Sequence, residues 1–566
     1  MRYCLMLLIC MFGNYAYSQG KFSLLNLDNS QTNRLAKNAT KSTRPADAIT
    51  MAAADLGSID ELSRPFIRYV WVPEPDIKYS AAVSFAVNSV ISKVPVIVNP
   101  DILFDGRLLR IDLRKYVPND TELARIIPIY DKLGADPYFH IIESSYVVPP
   151  SAKILTNVDD PKGSTRFLYN NSQYFLSNQN LFILSGKTWQ PYNGIEFRSN
   201  ANAFGVHVGL EQSTILLGLS KSSAVVSRYD YFLTKILTTL DGGLYYDLAG
   251  IERNPRGKSS QDALLESLGS SESRVALLKS DQRAALFKSR VTGRPRRIDI
   301  FQGEGVAVSN GSGLITLTHD SKEGDIKAIQ DPIRNLLEFE DAARELIAER
   351  SNGLHIFALF NSKGELQDSA PDNVVKDHTI PAPHTARLQC AISCIRCHGP
   401  LEGYQPFDNE VQKMLSGLFD IYDDVGSKAN VPETLTRLAG LYSGDLNKVL
   451  RRGRDDYSDA AIRATYGNYN VAQISEIISE IYENYNYREV DAFIALKDLG
   501  INAPQEEAVD YFIEVVKPKQ ILANGVVPED PIIAALKTGL RVNRFQWELV
   551  YADAAIRSME FVGDIK

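Results

Sequence analysis

The chain has 566 residues, of which 44% are hydrophobic and 23% charged, and a formal net charge of −8. That length and apolar content predict about three globular units with substantial cores. The acidic balance argues against a nucleic-acid binder and leaves room for a basic protein partner.

In chain order, the first signal is one of export. Arg2 supplies a positive start, Leu5 to Phe12 form a short apolar run, and Ala16-Tyr17-Ser18 places small residues at −3 and −1 before Gln19. This is the pattern of a signal peptide over residues 1–18, and it predicts a periplasmic or secreted protein. The apolar run of eight residues is far shorter than the roughly 20 needed to span a bilayer. A lipid anchor at Cys10 is disfavoured, because Ile9 stands where a lipobox wants Gly, Ala or Ser. Nothing after residue 18 reads as a transmembrane segment.

Residues 19–60 are rich in Asn, Ser, Thr, Ala and Asp with weak periodicity, and read as a flexible lead-in. From Ala81 to Ile91 the apolar positions Ala82, Phe85, Ala86 and Val90 recur at helical spacing, whereas Leu108 to Val117 alternates Leu109, Ile111 and Leu113 with Arg110, Asp112 and Arg114 as a strand does. Short β-rich runs follow at 182–185, 194–198, 215–219, 298–308 and 314–318, separated by Gly, Asn and Ser turns. Residues 61–340 therefore read as an α+β domain. Within it, Arg290, Arg294, Arg296 and Arg297 suggest a solvated basic loop.

The segment 341–425 carries the most specific signal in the chain, Cys394-Ile395-Arg396-Cys397-His398. C-x-x-C-H is the attachment signature of a c-type haem: two thiols add to the two vinyl groups, and the adjacent imidazole is the proximal iron ligand. With five Cys and seven His in 566 residues, about 0.0005 accidental matches are expected. A thioredoxin-like pair or half a zinc site are the competing readings; there is no second C-x-x-C and no βαβ pattern leading into this one. Thioether attachment takes place on exported chains, which agrees with the signal peptide.

Past residue 18 the only other cysteine is Cys390, four residues before Cys394, which reads as a small buried apolar group. For the sixth ligand, Met414 lies on an amphipathic stretch with Val411, Leu415 and Leu418, and His384 precedes the motif between Pro383 and Thr385; either is a candidate, and a core role for Met414 or a solvent-facing role for His384 is the plainer alternative. Past residue 18, Met51 and Met559 are the other methionines. His355 lies in an apolar, strand-like run, and His378 in the same loop as His384. Arg387 and Arg396 are placed to pair with haem propionates. From 426 onward the texture is helical: Asn470 can cap a helix with Val471, Ile474, Ile477, Ile478, Ile481 and Tyr482 on one face, and similar patterns occur at 433–452, 505–516 and 545–560.

Leu354-His355-Ile356-Phe357-Ala358-Leu359-Phe360, Lys363-Gly364-Glu365-Leu366-Gln367-Asp368-Ser369-Ala370-Pro371 and Ser393-Cys394-Ile395-Arg396-Cys397-His398-Gly399 resemble a large, mostly uncharacterised family of exported bacterial proteins, common in planctomycetes, with a single c-type cytochrome motif. Arg64 to Tyr69, Ala86 to Ser89, Leu109 to Arg114, Asp136 to Phe139 and Arg541 to Trp547 also resemble it. The resemblance implies haem binding and export, and it carries over Cys394, Cys397 and His398 alone.

The chain has no G-x-S-x-G, H-E-x-x-H, Walker loop or strand-following G-x-G-x-x-G. The leading expectation is an exported mono-haem protein that transfers single electrons to an unidentified redox partner. Two other classes remain open: a haem enzyme, peroxidase-like or dehydrogenase-associated, with an open distal site, and a haem-bearing sensor or surface-binding scaffold.

Overall fold

The computed structural model describes residues 43–60, 62–134, 139–143, 153–155, 165–169, 172–177, 180–185, 188–191, 204–208, 223–268, 282–286, 289, 293–302, 313–321, 331–333, 335–336, 339–371, 387–401, 403–404, 410–424, 432–442, 446–517 and 529–559. Its elements are α1 (Pro45–Ser58), β1 (Ile67–Trp71), α2 (Ile77–Ala86), β2 (Asp101–Leu103), β3 (Leu108–Asp112), α3 (Asp120–Tyr130), β4 (Phe139–Glu143), β5 (Lys153–Leu155), β6 (Thr165–Tyr169), β7 (Ser172–Ser177), β8 (Asn180–Ser185), β9 (Thr188–Pro191), β10 (Phe204–Val208) and β11 (Ser223–Arg228). Then come α4 (Tyr229–Ile236), α5 (Tyr245–Ala249), α6 (Ser260–Leu268), β12 (Gln282–Leu286), β13 (Arg296–Gln302), β14 (Leu314–Asp320), β15 (Ala343–Glu349), β16 (His355–Asn361), β17 (Leu366–Gln367) and α7 (Ile392–His398). The rest is helical: α8 (Glu410–Asp424), α9 (Glu433–Leu441), α10 (Leu446–Ala464), α11 (Val471–Asn486), α12 (Ala492–Asp498), α13 (Ala508–Val515), α14 (Pro531–Lys537) and α15 (Arg544–Met559). The fold is α+β, as the patterning predicts. No described helix is long and apolar enough to cross a membrane.

Three sheets form. One has the order β10-β4-β11-β1-β3-β2, with β1 and β11 parallel; β12 to β17 and β5 to β9 are antiparallel meanders. β1 is buried along its whole length, which masks the period-2 pattern that marks a half-buried strand. Its Arg68 is almost fully buried and is satisfied by Asp131, 2.7 Å away.

Several expectations change. The stretch read as a flexible lead-in contains α1, whose Ala48, Met51, Ala52 and Leu56 are buried; the small side chains at this helical spacing made its apolar face easy to overlook. The strand expected over 108–117 stops at Asp112 and continues as a 3₁₀ turn, Leu113–Lys115, with the Asp112 side chain accepting from the Arg114 N–H. The boundary at 340 falls inside a sheet, because β14 pairs with β15 from Ile315↔Ala348 to Asp320↔Ala343. Arg296 and Arg297 are not in a solvated loop: they lie on β13, paired with Asp320 at 2.7 Å and Asp299 at 3.1 Å. The runs at 194–198 and 215–219 lie outside the described residues, as do the signal peptide, Cys10, His378 and His384.

In the helical third, α11 begins as predicted. Asn470 accepts from the Gln473 N–H, and Gln473 returns the bond in a capping box. This helix contacts α2, α4, α7 and α10, which makes it the element between the first sheet's helices and the cysteine motif. The C-terminal helices are tied to β11 by a buried charge network. Asp498 receives Arg228 at 3.0 Å, Arg544, and the Trp547 Nε1–H at 2.9 Å. Burial alone raises the Asp498 carboxyl, but Arg228 and Arg544 bring it below its ordinary value.

Asp498→Ala leaves two guanidinium groups in the interior without their carboxylate. It is expected to cost about 3–5 kcal/mol, read as a lowered urea midpoint with an unchanged slope.

Candidate functional site

The sheet β12–β17 seats the cysteine motif. Register places Thr318, Glu345 and Leu359 abreast on one face, with Thr316, Ile347 and Phe357 in the next row and Glu349 opposite His355. Against this face lies α7. The motif is a single helical turn, so Cys394 and His398, four residues apart, project to the same side.

Glu345 is the polar group that they meet. His398 Nε2 lies 3.6 Å from Glu345 Oε1, with side-chain exposures of 25% and 19%, and the Cys394 thiol is also within hydrogen-bonding reach of the carboxylate. Burial pushes the Glu345 carboxyl up, but His398, helped by Arg296, brings it net below its usual value. Burial likewise lowers His398, and Glu345 with the Gly403 carbonyl more than reverses this. His398 Nδ1 donates to the Gly403 oxygen at 2.8 Å. Gly403 has φ +90°, and a Cβ there would come 2.7 Å from His355 Cε1 and 2.9 Å from Tyr457 Cδ1.

His355 is 2% exposed, and neither ring nitrogen has a hydrogen-bond partner. Its ring stacks on Tyr457 at 3.7 Å, while Phe357, on the same sheet face, lies 6.1 Å from the His398 ring. Burial and the nearby His398 hold His355 well below its ordinary value, so it is neutral. Its strand is predictable from the apolar run; its place beside His398 is not.

The outer side of the motif packs on α11. A Cβ at Gly399 would overlap the Ser475 side chain, so this position admits glycine alone at the observed separation. Arg396 pairs with Glu483 of α11, so the side chain proposed for a propionate here holds a neighbouring helix. On the other flank, α5 extends the edge of β16 past the short β17: Tyr245 Oη accepts the Phe357 N–H at 2.8 Å and donates to the Phe357 carbonyl at 3.2 Å, and Tyr246 Oη accepts the Leu359 N–H at 3.2 Å. Hydroxyls thus satisfy backbone groups that an adjoining strand would otherwise take.

Met414 is not brought to His398. It is 40% exposed on α8, whose Val411 and Leu415 pack with Ala285; Ala285 is abreast of Arg297 and His319, on the opposite face of the sheet. That opposite face holds a second cluster which no local motif signals. His319 Nδ1 is 2.6 Å from Asp341 and its Nε2 is 3.1 Å from Asp299, with Arg297 also on Asp299. Every charge there meets an opposite one, which makes it a closed structural network. No group of three or more His, Cys, Asp or Glu side chains among the described residues is arranged to hold a bare metal ion.

No protein-family model, curated protein or solved structure matches the chain.

Glu345 contributes stability that is full above the ordinary carboxyl value of 4.5 and is lost as pH falls through its lower folded value. His398 contributes stability that is full below the ordinary imidazole value of 6.5 and is lost as pH rises through its higher folded value. Urea unfolding across pH should therefore show the gap between wild type and Glu345→Gln at its widest between about pH 4.5 and 6.5, narrowing on either side; a gap independent of pH would mean that the pair is not formed. Gly399→Ala should cost about 1–3 kcal/mol by overpacking, and a double-mutant cycle with Ser475→Gly should recover a measurable part of it.

Proposed function

We propose that the protein is an exported, mono-haem c-type electron carrier, with haem c joined to Cys394 and Cys397 and His398 as the proximal ligand. The observation that carries this reading is the hydrogen bond from His398 Nδ1 to the Gly403 carbonyl. A ligating histidine ordinarily donates its other ring N–H to a carbonyl or carboxylate, which fixes the tautomer and leaves one nitrogen for the metal. His398 is held in this way, on the same helical turn as the two thiols. The resemblance to exported single-haem bacterial proteins and the export pattern of residues 1–18 support the same reading.

Haem supplies an iron that exchanges one electron between its ferric and ferrous states. The chain's own residues fit that group. His398 Nε2, which faces Glu345 at 3.6 Å, would be the ligating nitrogen. Glu345 would keep Arg296 as its other charged neighbour. Cys394 is buried while Cys397 is exposed, so the two anchors would differ in their contact with solvent. The packing of Gly399 on Ser475 and the pairing of Arg396 with Glu483 would hold α7 in place. An unidentified redox partner, in the periplasm or outside the cell, completes the role.

The test is expression of the chain in a periplasm with the c-type maturation machinery, comparing wild type with Cys394→Ser/Cys397→Ser. Haem that survives a denaturing gel in wild type and not in the double variant, with a matching pyridine haemochrome, is the expected result. Reduced and oxidised spectra then separate a six-coordinate carrier from an enzyme with an open distal site. Wild type without covalent haem, beside a control cytochrome that matures, overturns the reading.

A further inference from the structure

Beyond residue 18 the chain has three cysteines, and Cys390 is outside the attachment motif. Its backbone is unusual. Ala391 adopts φ 66° and ψ −72°, and the Ile392 N–H donates to the Cys390 carbonyl at 3.0 Å. This is a γ-turn of the rare positive-φ hand, held by a residue with a side chain, and such a conformation is strained. Ala391 is fully buried, so the strain sits inside packed structure and not on a loose surface loop. The Cys390 N–H is held from the other side by the Asp368 carbonyl at 3.3 Å.

The turn reverses the chain just before α7 and brings Cys390 back over the helix's first turn. The Cys390 and Cys394 thiols are within hydrogen-bonding reach of each other, and both residues are buried, at 0% and 2% exposure. Cys397 is placed differently. It follows Cys394 by three residues inside one helix, where Cβ atoms are about 5–6 Å apart. A disulfide needs roughly 3.5–4.5 Å between Cβ atoms, so bridging the motif's own pair requires the helix to open.

We propose that in the oxidised, haem-free chain Cys390 and Cys394 form a disulfide, making Cys390 a guard thiol that withholds Cys394 from thioether attachment until it is reduced. The step balances as thiol–disulfide exchange. Two thiols lose two protons and two electrons, a bond forms between Cys390 Sγ and Cys394 Sγ, and an external disulfide leaves as two thiols. A dithiol reductant reverses it. The guard role rests on the c-type reading above; the disulfide itself does not.

The sequence provides a clean assay. Cleavage after Arg387 and Arg396 releases Leu388–Arg396, which contains Cys390 and Cys394, while Cys397 falls in the following peptide. Haem-free chain would be oxidised with glutathione disulfide, alkylated, digested without reductant and weighed. The expected peptide is lighter by two hydrogens and unalkylated, with Cys397 alkylated in its own peptide. A cross-link to Cys397, or alkylation of both Cys390 and Cys394, overturns the pairing. For the guard role, Cys390→Ala should load covalent haem at least about two-fold better than wild type when maturation is limited in reductant, and equally when reductant is in excess. Equal loading in both conditions overturns it. Absence of haem from both proteins counts against the c-type reading and leaves the disulfide map to decide the pairing by itself.

Discussion

A carboxylate inside a sheet face cannot be left without a partner, and Glu345 sets that requirement in the middle of β15. An ionised group removed from water costs several kcal/mol unless charges and donors meet it. Here the donors are His398 and Cys394, with Arg296 on the same face. The motif helix is therefore seated by electrostatics as well as by apolar contact. Its register on the sheet is specified, because moving α7 by one residue would turn the imidazole away and leave the carboxylate alone.

The rest of the packing serves that seat. Tyr245 and Tyr246 close the edge of β16, so the strand that carries Phe357 and His355 does not depend on a further strand for its hydrogen bonds. Arg350, at the end of the same hairpin, caps the carbonyls of Val90, Ser92 and Ala249 at 3.1, 3.0 and 3.3 Å. These groups terminate the π-helical turn Val87–Ile91 and α5, so one guanidinium joins the first sheet's helices to the second sheet. Burial lowers Arg350 to about 10, which still leaves it charged at neutral pH. On the far side, α11 presses on Gly399 and reaches α2 and α4. The cysteine motif thus lies where the first and second sheets and the helical region converge.

Strain and two buried thiols coincide at the start of α7. The positive-φ turn at Ala391 lies between Cys390 and the helix that carries Cys394. Both thiols are buried, and Cys390 and burial together raise Cys394 well above its ordinary value. A buried, protonated thiol reacts slowly.

Much of the local structure was legible in the residues themselves. The capped apolar face at 470–482, the helices near 433–452, 505–516 and 545–560, and the strand holding His355 follow from periodicity and capping, which are properties of neighbours along the chain. The placing of Cys394, Cys397 and His398 on one short helix is likewise a matter of local spacing. Other features had no such signal. β1 is buried on every side and carries no alternation; α1 hides its face among alanines; the pairing of β14 with β15 runs across the place where composition suggests a boundary. Glu345, His355 and Cys390 carry no motif, and Met414, which looks well placed in sequence, is on the wrong side of the sheet. By itself the sequence determined the spacing of Cys394, Cys397 and His398 and the helical texture of the last third, because both depend on residues a few positions apart. Only the tertiary structure decided which carboxylate the motif faces and which thiol touches it, because sheet register and one strained turn bring together groups that no local spacing relates.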